Sequence, residues 1–314
     1  MDGIGKVKIQ MAMMNKIIIL LSNYNGEKYL RAQLGSLFSQ SYKNFIVIAR
    51  DDGSSDKTLE ILKSYDIELL PSNKNLGVKS SFETLLKYAF ENSDADYFMF
   101  RDQDDVWNQD KVELTLQKMY EMEKLYKNTP ILVHTDLEVV DENLHTINPS
   151  FMKLQNLHEK KNRLNNLLIQ NTITGCTVMI NRDLAKLCLP MSSNAIVHDW
   201  WVGLVASYFG KIGYLSQSTI KYRQHTQNSI GAKGFDIGFI LKNFQKKQTL
   251  DKNISQAKDF LEIFNDKLDK DTKFMLEDFV NLQNKSFFQK RKILLKYNLL
   301  KHGFIRNIGL FIKI

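Results

Sequence analysis

Residues 16–30, KIIILLSNYNGEKYL, set the reading of the whole chain. Lys16 to Leu21 is a short β-branched and aliphatic run that stops at the polar, turn-prone Ser22-Asn23-Tyr24-Asn25-Gly26, which predicts a buried strand feeding a loop. Leu30, Leu34, Leu37 and Phe38 then recur at the spacing of a helix whose apolar stripe lies on a sheet. The same unit repeats downstream. Residues 45–49 predict a second strand, closed by Asp51-Asp52-Gly53-Ser54-Ser55-Asp56, a turn rich in capping residues, ahead of a helix over 57–65. Residues 67–70 predict a third strand, and Phe82, Leu85, Leu86, Ala89 and Phe90 mark another helix. A fourth strand, 97–100, runs into Arg101-Asp102-Gln103-Asp104-Asp105. Strand alternating with helix predicts an α/β fold, a mostly parallel sheet with helices on both faces, whose ligands gather at the carboxyl ends of its strands.

Beyond this the spacing predicts a helix over 110–127 and a strand at 131–137, leaves the polar stretch 151–166 unassigned, and has regular structure return at 175–180. From residue 235 the pattern turns helical, with abundant Lys, Asn, Phe and Leu. The organisation is therefore an N-terminal tail (1–15), a main domain (16–235) and a basic helical region (236–314). The net charge of +8 is a terminal feature, because residues 285–314 hold eight Lys or Arg and no acid. The rest of the chain is balanced, so the basicity does not call for nucleic acid. Two cysteines, Cys176 and Cys188, match no Cys/His pair; a disulfide scaffold and a zinc ribbon are excluded, and a reducing cytosol is expected. The apolar runs fall short of the roughly 20 residues of a spanning helix.

Three polar clusters close three strands on one sheet edge: 22–27, 51–56 and 102–105. The first carries neither GxGxxG nor GxxxxGK[ST], which removes support for dinucleotide oxidoreductases and P-loop phosphotransferases. Asp102 and Asp104 are two apart, so in an extended segment both carboxylates lie on one face and can share a cation. A hard divalent ion favours such a pair together with phosphate oxygens and water; the spacing equally suits a solvated turn before a helix capped by Asn108 or Asp110. Asp51 or Asp52 can accept the ring N–H of a pyrimidine, or can cap the backbone of its own turn.

Taken in order, SNYNGEKYL, DDGSSDKT, Asn75-Leu76-Gly77, DQDDVW, TGCTVMINRDL (174–184), HDWW (198–201) and YRQHTQNSIG (222–231) resemble the family 2 glycosyltransferases over residues 16–231. DQDDVW with HDW and YRQH is most similar to the branch containing bacterial rhamnosyltransferases. The resemblance implies a GT-A fold with a Rossmann-like sheet. It implies that Ser22 and Tyr24 hold the nucleoside, Asp51 or Asp52 the uracil or thymine, and Asp102 the ribose or metal. Asp104 is then the metal ligand, joined from a late loop by His225. Lys79 is placed near the diphosphate, where many relatives carry arginine. Asp199 falls where relatives carry the aspartate of a Glu-Asp pair that acts as general base; here His198 replaces the glutamate. Thr174 and Gly175 are expected on the acceptor side; Trp107, Trp200 and Trp201 suit core or rim packing, and Trp107 or Trp200 alternatively offers a ring on which a sugar can stack.

These assignments imply an inverting transfer: a divalent cation, Mg²⁺ or Mn²⁺, eases departure of the nucleoside diphosphate while Asp199 deprotonates the acceptor hydroxyl. The implied donor is dTDP-rhamnose, with a UDP-hexose as alternative, and the implied acceptor is lipid-linked or a growing surface polysaccharide. A pyrimidine nucleotidyltransferase would need a basic triphosphate loop that SNYNGEKYL is not. A non-catalytic scaffold would have no need of Asp104 and Asp199 together. An aspartyl phosphatase would carry its acidic pair on the first strand. Apolar residues interleaved with Lys and Arg in 285–314 predict a helix lying on an anionic membrane surface, which places the protein in the cytoplasm at the inner face of the cell membrane; the same pattern suits apolar residues packed on the main domain with the lysines as a solvated face.

Overall fold

The computed structural model describes residues 16–72, 74–225 and 250–314. The N-terminal tail and the domain change near 235 lie outside the described residues. The predicted alternation is present as β1 (Ile17–Asn23), α1 (Glu27–Phe38), β2 (Phe45–Asp51), α2 (Thr58–Lys63), β3 (Glu68–Leu70), α3 (Gly77–Glu91) and β4 (Tyr97–Arg101). Next come β5 (Val106–Trp107), α4 (Lys111–Leu125), β6 (Ile131–Val140), β7 (Thr146–Asn148), α5 (Phe151–Leu154) and α6 (Leu164–Ile169). They are followed by β8 (Met179–Asn181), α7 (Arg182–Cys188), α8 (His198–Phe209) and β9 (Lys211–Arg223).

The sheet order is β3-β2-β1-β4-β8-β6-β9-β5, with β7 beside β6. Strands β1, β2, β3 and β4 are mutually parallel, β8 runs against both β4 and β6, and β6 and β9 are parallel. Because β1 aligns Asn23 with Asp51 and Leu21 with Arg101, the three polar clusters leave the sheet at one edge.

Alternation along β1 explains why both faces are covered. Ile17, Ile19 and Leu21 enter one core with Leu30, Leu34 and Leu37 of α1 and with Val112, Leu116 and Met119 of α4. Ile18 and Leu20 enter the opposite core with Phe82 and Leu85 of α3 and Trp201 of α8. Successive side chains of a strand point to opposite faces, so a run without polar residues is what a doubly covered strand requires.

Residues 175–180 are structured in two parts: Gly175–Thr177 is a 3₁₀ turn, and β8 starts at Met179. The turn is held by Thr177 N–H donating to Thr174 O and Val178 N–H to Gly175 O. The long strand β9 was not foreseen, since its KIGYLSQSTIKYR mixes polar with apolar residues; it pairs with both β6 and β5.

Past residue 249 the chain is helical, as predicted: α9 (Asp251–Phe264), α10 (Lys270–Val280), α11 (Phe287–Lys296) and α12 (Phe304–Lys313). These helices join the second core. Phe260 of α9 meets the Trp201 ring edge-on at 6.0 Å, and Phe264 lies 4.8 Å from Phe209. Leu276, Phe279, Leu294, Leu299 and Leu310 are buried in the same cluster.

Candidate active site

The carboxyl edge of the sheet opens into a cavity of about 1050 Å³. One half of it is built from the loops after β1, β2 and β4. Gln103 joins the first and third: Tyr24 N–H donates to Gln103 Oε1 at 2.7 Å, and Gln103 Nε2 donates to Tyr24 O at 2.9 Å. Gly26 leaves room for this clasp: a Cβ there would sit 2.7 Å from Gln103 Oε1 and push the amide aside. Ser22 lines the cavity and bonds Ser81 of α3.

The two aspartates after β2 part company. Asp51 accepts from Ser54 N–H at 3.1 Å and from the Ser54 hydroxyl, capping its own turn. Asp52 lines the cavity, is paired with Arg50, and accepts from Leu76 N–H and Gly77 N–H, the latter at 2.9 Å. The Asn75-Leu76-Gly77 motif is thus tied to Asp52, which explains its spacing from DDG. Lys79 is turned elsewhere, donating to Ser192 O and Ser193 O at 3.1 and 3.0 Å, and is not among the cavity-lining residues.

Asp104 and His225, from the β4 loop and the end of β9, meet at 2.9 Å between Oδ2 and Nε2. Arg223 braces both ends, donating from Nε to Asp104 O at 3.0 Å and from its backbone to Asp105 Oδ1 at 3.1 Å. The rest of the late loop, 226–231, lies outside the described residues. Burial first, then the charges of Asp104 and Asp199, push Asp102 up to about 7. Among the described residues Asp102, Asp105 and Cys176 also bring ligand-type atoms within 4.8 Å of one another. Burial raises the Asp105 carboxyl and the Cys176 thiol well above their ordinary ranges. Asp104 with His225 is the carboxylate and imidazole pair that could join a divalent cation, while Asp102 is grouped with Asp105 and Cys176.

The other half of the cavity is built by α6, α8 and the 3₁₀ turn. Asp199, in the first turn of α8, accepts from Gly175 N–H at 2.7 Å and from Asn171 Nδ2 at 3.2 Å. Removal from water, only partly offset by these donors, holds it up to about 6. Gly175 lets the turn approach α8 closely, because a Cβ there would sit 2.6 Å from His198 Nε2 and displace that ring. His198 is buried against Phe82 and Phe100 with neither ring nitrogen hydrogen-bonded, and burial depresses it to about 3, so it is neutral. Thr174 and Trp200 line the cavity, the indole N–H of Trp200 donating to Leu167 O at 2.6 Å. Trp107 does not: it is core, with Arg101 and Lys111 stacked at 4.2 and 4.8 Å from its ring.

Gln103, Arg223, Asn171 and the C-terminal residues Asn253, Lys301, Ile305 and Arg306, which also line or brace the cavity, were not singled out from sequence. Gln103 sits inside DQDDVW and Arg223 inside YRQH, so both were within quoted motifs. The C-terminal residues carried no motif.

This sheet, with acidic strand ends around one cavity, is the GT-A fold. Residues 18–187, over half the chain, match the family model "Glycosyl transferase family 2", and the chain belongs to that family. A Rickettsia typhi protein described as an uncharacterized glycosyltransferase is 27% identical over 212 residues, 67% of this chain; the match spans 64% of that relative. The dTDP-rhamnosyl transferase RfbG of Shigella flexneri is 28% identical over 229 residues, covering 68% of this chain and 74% of that protein. The UDP-Glc:alpha-D-GlcNAc-diphosphoundecaprenol beta-1,3-glucosyltransferase WfgD of Escherichia coli is 29% identical over 172 residues, 54% of this chain and 61% of that protein. In fold the chain is similar to S. aureus TarS 1-349, with TM-score 0.55 and 17% identity over 90% of this chain and 75% of that one.

Proposed function

We propose that the protein is an inverting, metal-dependent glycosyltransferase that moves rhamnose from dTDP-rhamnose onto a lipid-linked or growing surface polysaccharide. The observation that carries this reading is a single cavity with Asp104 and His225 on one wall and a carboxylate of raised pKa, Asp199, on the other. Asp52 and the Tyr24–Gln103 clasp frame the space for base and ribose, and Asp52 is the better placed of the two aspartates to meet a pyrimidine N–H. A divalent cation held by Asp104 and His225 would neutralise charge on the departing diphosphate. Asp199 takes the proton of the acceptor hydroxyl as it attacks the sugar from the opposite side, and one displacement inverts the anomeric centre. His198, kept neutral, adds no competing charge beside that base.

Rhamnose is favoured by the DQDDVW, HDW and YRQH motifs and by the likeness to RfbG. A UDP-hexose donor is the second reading, favoured by the likeness to WfgD, whose name also specifies a diphosphate-lipid acceptor. Among the described residues no helix is long and apolar enough to cross a membrane. Contact with the cytoplasmic membrane surface is therefore assigned to α11 and α12, where Phe288 and Phe304 are each 81% exposed beside basic residues.

The test is nucleotide release with dTDP-rhamnose and UDP-glucose in Mn²⁺ and in EDTA, with the product anomer read by NMR. Asp104→Asn should fold normally by circular dichroism and lose the metal-stimulated turnover, because an amide cannot replace an anionic ligand. Retained anomeric configuration, or full activity of Asp104→Asn, would contradict the mechanism.

A further inference from the structure

Lys301 lies just before α12, is 8% exposed, and lines the cavity. Among the described residues its ammonium has no hydrogen-bond or ion-pair partner. The charges that act on it are those of Arg306 and Lys313, both also lining the cavity, and burial together with these two cations holds Lys301 down to about 8. Arg306 is steadied by carbonyls, donating to Gln155 O at 2.6 Å and His302 O at 3.3 Å. A buried ammonium beside two further cations is costly until an anion arrives.

The position of this cluster says which substrate brings the anion. The backbone N–H of His302 donates to Gln170 Oε1 at 2.9 Å, and the next residue, Asn171, donates to Asp199 Oδ1 at 3.2 Å. The cations are thus tied through two consecutive residues to the proton-accepting wall, whereas Asp104 and His225 belong to the loops after β4 and β9. Helix α12 adds an apolar route out of the cavity: Ile305 lines it and is half exposed, and Phe304 and Ile312 stand exposed on the same helix.

We infer that Lys301, Arg306 and Lys313 form the seat of a phosphate group in a lipid-linked acceptor, with the lipid chain leaving along α12. This rests on the sugar-transfer reading of the cavity and specifies the chemistry of its second substrate. Phosphate answers clustered Lys and Arg through short charge-assisted hydrogen bonds, and the sugar joined to that phosphate would lie between the cations and Asp199.

Isothermal titration of the full chain tests it, in EDTA with the donor half blocked by saturating UDP, using farnesyl diphosphate, farnesol and inorganic pyrophosphate as probes. Farnesyl diphosphate should bind at least about tenfold more tightly than either of the others, a difference of about 1.4 kcal/mol. Lys301→Gln should weaken it by about tenfold or more while Lys301→Arg restores it. Without ligand the melting temperature of Lys301→Gln should be unchanged or higher, since a repelled cation has been removed; a purely structural lysine would give a fall. Lys313→Gln, at the chain's last turn, gives the same reading away from the buried position. Equal binding of farnesyl diphosphate by wild type, Lys301→Gln and Lys313→Gln would overturn the inference, as would pyrophosphate matching farnesyl diphosphate. UDP and dTDP are titrated first, alone: failure of both would strike the transfer reading, and the inference with it, whereas normal nucleotide binding with an unaffected Lys301→Gln strikes the phosphate seat only.

Discussion

Two donors, Gly175 N–H and Asn171 Nδ2, fix where the Asp199 carboxylate points, and its removal from water holds the proton to about 6. A base must be ionised to act, so kcat/KM should rise about tenfold per pH unit below 6 and level off above it. Asp199→Asn should abolish that limb and lower kcat by about 10²–10⁴ with nucleotide affinity unchanged. Stability should move the other way. The folded-state pKa lies above the ordinary value of 3.8, so the folded state binds the proton more tightly than the unfolded chain. That stabilisation is complete below the unfolded value and is lost as pH rises through about 6. Above pH 6 Asp199→Asn should therefore melt no lower than wild type, and thermal scans at pH 5 and pH 8 check this. Collapse of donor affinity in the variant would move Asp199 into the donor half.

At the scale of elements, the start of α8 is set by the 3₁₀ turn it packs against. Gly175→Ala would place a methyl 2.6 Å from His198 Nε2 and 3.3 Å from Asp199 Oδ2, so the His198 ring, the turn or the start of the helix must shift. Because proximity effects are sensitive to displacements of about 1 Å, kcat should fall by about 10²-fold, with dTDP or UDP titration unchanged. A variant with full turnover would show the contact to be slack. How legible these elements were depended on periodicity. Residues 17–21, 45–49 and 97–100 are apolar runs ended by polar clusters, and such runs declare buried parallel strands whatever lies around them. Trp107 stayed open between core packing and a sugar platform because nothing local to DQDDVW says which way the ring faces. The Val106-Trp107 pair is strand β5, bonded to Lys221 and Ile220 of a strand far along the chain, and that pairing turns the indole inward. Asp52 and Asp51 were indistinguishable for a related reason: only contact with the backbone of Leu76 and Gly77 separates them. Lys301 lay in a segment whose charge was read as a single surface property, whereas burial is decided residue by residue.

For the molecule as a whole, the basic C-terminal region is both core and surface, which changes how membrane contact must be tested. Ile293, Leu294, Leu299 and Leu310 are buried in the core shared with α8 and α9. Leu294→Ala should cost about 2–5 kcal/mol by loss of transfer energy and creation of a cavity, measurable by urea unfolding. Removing residues 285–314 would accordingly disturb the fold and not merely the surface. Phe288, Phe304, Leu295 and Ile312 remain exposed on the same helices, beside basic residues unaccompanied by any acid between 285 and 314. Apolar side chains that enter the acyl boundary, joined to cations that meet anionic headgroups, make an interfacial surface. The wild-type chain should sediment with phosphatidylglycerol-containing vesicles and not with phosphatidylcholine vesicles. Since the Debye length falls from about 10 Å at 0.1 M salt to about 3 Å at 1 M, binding should weaken across that range. Phe288→Ser with Phe304→Ser should reduce it by about tenfold, because these rings are the most exposed of the large apolar side chains there, while leaving urea unfolding unchanged. If the double variant sediments like wild type, or if neutral vesicles bind equally, α11 and α12 do not hold the enzyme at a membrane, and delivery of a lipid-linked acceptor must occur from solution or through another surface.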